Sequence, residues 1–142
     1  MSQGEFYREG ESPSPDLTPE ELEQANKWLD QIRIEVTKIF DAGKAPAPSN
    51  WTIESAEVSP TRNPDKPNAS GGNRIRVEER MRKIGRITIY PRGARSFDEL
   101  FITYGHEVGH FFLNTWSEKE LDDYGRGLLN VYKGGTYNGP KP

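Results

Sequence analysis

The chain has no cysteine. That excludes a disulfide scaffold, thiolate metal ligands and a cysteine nucleophile, and it is compatible with a reducing compartment. Apolar material is also scarce: 32% of the 142 residues are hydrophobic, against fourteen glycines and eleven prolines. This composition predicts one domain with a small packed centre and long loops. No apolar run approaches the roughly 20 residues needed to span a bilayer. The opening residues, MSQGEFYREGESPSPD, are polar and acidic and resemble neither a secretory signal nor an anchor, so the expectation is a soluble cytoplasmic protein. Only two histidines are present, and they lie four residues apart.

The net charge of −3 hides an asymmetry. Residues 1–60 carry twelve acids and five bases, whereas residues 61–100 carry ten bases and five acids. Residues 1–16 read as a flexible acidic arm. Thr18, Pro19 and Glu21 then give a capping box with proline at the first helical position. Leu22, Ala25, Leu29, Ile32, Val36 and Ile39 follow helical spacing up to Gly43, predicting a helix over 19–41. Trp51 to Val58 reads as a strand. Residues 59–73, SPTRNPDKPNASGGN, are nearly all turn formers and predict a long loop. Next, RIRVEERM and GRITIY alternate, predicting an antiparallel hairpin with Ile75, Val77, Ile87 and Ile89 inward. Ser96 with Glu99, and Ser117 with Glu120, mark the starts of two further helices, the second running to about Tyr132. The last ten residues, 133–142, read as a loose tail. The expected fold class is α+β: an N-terminal helix, a small antiparallel sheet of about three strands, a histidine helix and a C-terminal helix, all within residues 17–132.

The histidine helix contains YGHEVGHFFL, residues 104–113. An H-E-x-x-H string arises by chance roughly once in seven hundred arrangements of these residues. On a helical wheel of residues 97–114, Phe101, Tyr104, Val108, Phe111 and Phe112 cover one broad side. Thr103, His106, Glu107, His110 and Asn114 form a narrow polar strip, which predicts a buried helix whose strip faces a cleft. Residues i and i+4 stand one above the other, so both imidazoles reach one ion at about 2.0–2.1 Å. Glu107 lies about 100° around, well placed to take a proton from a metal-bound water. Gly105 and Gly109 lower helix propensity by roughly 1 kcal/mol each, which predicts a close approach by another backbone or a substrate. The competing explanation is two core histidines bonded to carbonyls, with Glu107 paired to an arginine.

GRITIYPRGARSFDELFITYGHEVGHFFL resembles the core of the H-E-x-x-H zinc metallopeptidases, the zincins: a strand, a short connection and the zinc-binding helix. Within that group it is most similar to the small ImmA/IrrE-type metallopeptidases, the likeness covering about residues 84–130. After the histidine helix the family pattern reads like E-A-N-x-F-A-x-x-L-L. Residues Glu120 to Leu129 stand in that register, with a shorter gap from His110 and with Asp122 in place of Asn. The resemblance implies a zincin-like fold and a zinc-dependent peptidase with a narrow range of protein substrates. It also implies that the strand Arg86 to Tyr90 is the edge strand on which a peptide lies.

A catalytic zinc takes three protein ligands and keeps one position open. Without a third histidine or a cysteine, the third ligand must be a carboxylate. Glu120 is placed first, ahead of Asp123 and Glu118, although Glu120 is also the expected capping partner of Ser117. The expected site is therefore one Zn2+ per chain held by His106, His110 and Glu120, with Glu107 as general base. Tyr124, Tyr90 and Arg126 are candidates to stabilise the oxyanion. Two rival functions remain. One is a zinc-binding structural or interaction protein that cleaves nothing. The other is a basic module: eight basic residues and two acids lie between Arg74 and Arg95. Aromatic residues for base stacking are nearly absent there, which favours an acidic partner over nucleic acid.

Overall fold

The computed structural model describes residues 14–142, so most of the expected arm lies outside the described residues. Three helices and a three-stranded sheet make an α+β fold: α1 (Pro19–Asp41), β1 (Trp51–Val58), β2 (Gly71–Val77), β3 (Lys83–Ile89), α2 (Phe97–Gly109) and α3 (Glu118–Tyr132). Helix α1 starts as its sequence requires. The Thr18 hydroxyl accepts from the Glu21 amide and the Glu21 carboxylate accepts from the Thr18 amide, closing the capping box. Ala25, Leu29, Ile32, Val36 and Ile39 are buried, and Gly43 turns the chain away at φ +67°. Ahead of the helix, Ser14 is fixed by two hydrogen bonds from the Arg95 guanidinium, at 3.1 and 2.8 Å.

The sheet is mixed, not antiparallel as expected. Its order is β1-β3-β2, with β1 parallel and β2 antiparallel to β3. Val58 and Gly71 both stand beside Ile89. The turn-rich segment after β1 therefore arches over the end of β3 and delivers the chain to the opposite edge. It is shorter than expected, because Gly71, Gly72 and Asn73 already belong to β2. Strand β3, expected at the edge, lies in the middle, and β2 takes the edge beside α2. Ile87 and Ile89 are buried as expected, Ile75 is half-buried, and Val77 is 46% exposed because it lies at the strand tip. Beyond it, Arg80 and Met81 turn the hairpin with positive φ.

Helices α2 and α3 touch backbone to backbone. A Cβ on Gly105 would lie 2.7 Å from Gly125 Cα, and one on Gly109 would lie 2.8 Å from a Leu121 methyl carbon. The close approach predicted for both glycines is thus made by α3. Helix α2 stops at Gly109, sooner than the wheel assumed. One 3-10 turn, His110–Phe112, follows, and Leu113 ends it at φ +55°. The C-terminal tail, expected to be loose, packs back onto α3: the Tyr137 ring closes over Gly127, and Asn130 donates to the Thr136 carbonyl at 2.6 Å. No helix among the described residues is long and apolar enough to cross a membrane.

Candidate metal centre

Helix α2 is nearly surrounded. Phe101, Tyr104 and Val108 face the core, and His106 and Glu107 are only 4% and 1% exposed. Burying an imidazole and a carboxylate is costly unless each finds polar partners. His106 Nε2 lies 2.9 Å from Glu118 Oε1. Glu107 Oε1 accepts a hydrogen bond from Asn73 Nδ2 at 2.6 Å. His110 Nε2 is different: it is buried and has no hydrogen-bond partner. Ligand atoms of His106, His110 and Glu118 all lie within 4.8 Å of one another, and the two imidazole centroids are 5.5 Å apart.

Two nitrogens and a carboxylate oxygen form a donor set suited to zinc. Bonds of about 2.0–2.1 Å at a tetrahedral angle would separate a ligand nitrogen from a ligand oxygen by about 3.3 Å. The observed 2.9 Å between His106 and Glu118 would have to widen by only a few tenths of an ångström. The orphaned His110 nitrogen would gain the partner it lacks. The donor set suits the ion once the remaining separations, up to 4.8 Å, close towards the same value.

The electrostatics point the same way. Burial pushes His106 down, but its hydrogen bond to Glu118 and the charges of Glu107, Glu118 and Asp122 outweigh that and hold it above the ordinary histidine value. Burial, with His106 beside it, holds His110 below the ordinary value against the opposing pull of Glu118. Glu118 is held low, first by its hydrogen bond to His106. Three carboxylates, Glu107, Glu118 and Asp122, thus bear on His106, a setting suited to a cation.

Of the three candidate third ligands, the structure brings Glu118 to the histidines. Glu120 is held in the capping box: its carboxylate accepts from the Ser117 amide at 3.0 Å while its own amide donates to the Ser117 hydroxyl at 3.1 Å. Asp123 pairs with Lys119 at 2.9 Å on the outer face of α3. The physical reason is geometric. The box fixes Glu120 at the third helical position, turned back along the start of α3, and leaves Glu118, at the first position, directed towards α2. Among the oxyanion candidates, Tyr124 is buried and donates to the Pro46 carbonyl at 2.6 Å, and Arg126 is paired with Asp122 at 2.8 Å. Only Tyr90 shares a groove with His110.

Two contributors were not foreseen. Asn73 lies 34 positions before Glu107, and no sequence signal links the two. Gly71, two residues earlier on the same face of β2, lets the strand close on α2: a Cβ there would lie 3.0 Å from Glu107 Oε2 and 2.9 Å from Thr103 Cγ2. Behind them, a cavity of about 50 Å³ touches His106, Glu107, Thr103 and Asp122, with room for at least one water molecule. Comparison with protein-family models, characterised proteins and solved structures finds no match to this chain.

Proposed function

We propose that the chain is a zinc-dependent metallopeptidase in which His106, His110 and Glu118 hold the ion and Glu107 is the general base. One observation carries this reading: the buried, partnerless Nε2 of His110 converges with His106 and Glu118, directly beside a buried carboxylate. Zinc, when bound there, supplies an acidified water and a Lewis acid for the scissile carbonyl. Glu107 takes up the proton and returns it to the leaving amine. Asn73 holds the carboxylate in one orientation, and the low exposure of Glu107 keeps bulk water from competing for it. Tyr90, at the wall of the groove beside His110, is the phenol best placed to donate to a developing oxyanion.

The test is metal analysis combined with Glu107→Gln. The wild-type chain should take up one zinc ion and cleave peptides, while the variant should keep the zinc and lose hydrolysis. A chain unable to take up zinc would sink the reading, and a Glu107→Gln variant that sheds its zinc would refute the assignment of Glu107 as base. A second reading, a zinc protein without proteolytic activity, is favoured by the burial of Glu107 and its short bond to Asn73. It predicts stoichiometric zinc in both forms and no cleavage of any peptide library by either.

A further inference from the structure

The sheet face turned away from α2 is rich in arginine. Antiparallel pairing sets Arg74 directly opposite Arg86, and Arg76 follows two residues along β2 on the same face. Like charges directly opposite one another in an antiparallel pair have Cβ atoms roughly 5 Å apart and weaken the ladder. Two of the three are offset. Arg86 Nε donates to Glu54 Oε1 at 2.8 Å, and Arg76 pairs with Glu78 at 2.9 Å and Glu54 at 3.8 Å. Arg74 is exposed and has no hydrogen-bond or ion-pair partner among the described residues.

Arg74 also borders the groove that reaches the metal centre. That groove, about 640 Å³, is lined by Arg74, Arg86, Asn73, Tyr90, Lys66 and His110. Its size falls within the roughly 300–1,000 Å³ of typical ligand sites. Glu57 and Asp65 line it too, but Glu57 is on β1, across β3 from β2, and Asp65 is on the arching loop. The half of the groove along β2, next to the residue that holds Glu107, is thus cationic and lacks a counter-charge.

We propose that this groove selects peptide substrates carrying an acidic side chain near the cleaved bond, seated against Arg74. The proposal rests on the metallopeptidase reading above and names its substrate class. Arg74 and Asn73 face opposite sides of β2, and the groove that both line passes the edge of the strand to His110, so a carboxylate held by Arg74 and the reacting bond lie in one groove. A guanidinium accepts a carboxylate in a two-point hydrogen bond, and the added negative charge would relieve the repulsion between Arg74 and Arg86. Nucleic acid fits less well. Tyr90 is the only Phe, Tyr or Trp among the residues lining the groove, and Glu57 and Asp65 would repel phosphates.

The experiment uses the full chain, with and without zinc, and fluorescent peptides identical except for one Glu, Gln or Lys at successive positions. Binding is read by anisotropy at low and high salt, and cleavage is profiled in parallel. The Glu peptide should bind roughly three- to tenfold more tightly than its Gln counterpart at the preferred position. The gap should close at high salt. In Arg74→Glu the preference should turn towards Lys; this exposed change removes a like-charge pair and does not threaten folding. Equal binding of Glu and Gln peptides overturns the proposal. So does an acidic preference that survives Arg74→Glu, or an oligonucleotide that binds more tightly than every peptide. Cleavage without acidic preference refutes the proposal and leaves the peptidase standing, whereas acidic preference in binding without any cleavage supports the groove and refutes the peptidase.

Discussion

Replacing Glu118 and Glu120 separately by alanine distinguishes a metal ligand from a helix cap only two positions away. Glu120→Ala removes a carboxylate that accepts from the Ser117 amide at 3.0 Å. Loss of a capping partner costs about 1 kcal/mol, equivalent to about 3–5 °C in Tm for a domain of this size. That loss should be the same with and without zinc, because the cap does not touch the ion. Glu118→Ala instead removes the oxygen 2.9 Å from His106 Nε2. In the metal-free chain this leaves a buried imidazole nitrogen without its partner; because Glu118 is itself partly exposed, water can replace some of the contact, and the cost should be about 1 kcal/mol. With zinc the difference widens. Loss of residues that merely support metal ligands lowers affinity about 10- to 100-fold, so loss of a ligand should lower it at least about 100-fold. At zinc concentrations that saturate the wild type, a 100-fold loss removes about 2.7 kcal/mol of ligand-induced stabilisation, roughly 10 °C in Tm. Competition with a chromophoric chelator gives the affinity, and thermal melts with and without zinc give the stability. If Glu118→Ala binds zinc as tightly as wild type, or if Glu120→Ala loses affinity to the same degree, the geometric assignment of the third ligand is wrong.

Asn73→Ala should lower stability by about 1–3 kcal/mol in urea denaturation, since the Glu107 carboxylate is 1% exposed and loses one donor, at 2.6 Å. Asn73→Asp should cost more, because it sets two carboxylates against each other; an alanine variant as stable as wild type would show that the bond contributes nothing. Alkaline pH should also destabilise the fold. Burial, with the Asp123 charge beside it, pushes the Tyr137 phenol up to about 12, and burial pushes Tyr124 up as well. A folded value raised above the unfolded one gives stability that is complete below about pH 10 and lost as pH rises through the folded value. The denaturation midpoint should therefore fall between about pH 10 and pH 12, less steeply in Tyr137→Phe; a flat profile in the wild type would rule this out.

Local signals in the sequence located most of the fold. The starts of α1 and α3 follow from capping boxes that span only four residues, and both boxes are present. The histidine helix and its burial followed from one polar strip on an otherwise apolar cylinder. What local signals could not supply was the order of the strands. An antiparallel hairpin of β2 and β3 is legible from alternation, but the parallel pairing of β1 with β3 depends on where a turn-rich loop lands. That error moved β3 to the edge and hid the approach of β2 to α2, and with it the parts played by Asn73 and Gly71. Glu118 was underrated for a related reason. The spacing that marks Glu120 as a cap was visible, but the direction of its neighbour depends on how closely two helices approach.

That approach is set by glycine. At Gly105 a side chain would strike Gly125 Cα at 2.7 Å, and at Gly125 a side chain would lie 2.3 Å from the Ile102 carbonyl oxygen. Because both positions lack a Cβ, α3 settles against α2 at backbone contact at this point. The Ser117–Glu120 box fixes where α3 begins, so the depth of the glycine contact and the position of the cap together place Glu118 within 2.9 Å of His106. The glycines that weaken each helix in isolation are, on this account, what brings the third donor within reach. Widening the helix pair by a single methyl group would withdraw Glu118 without touching either histidine.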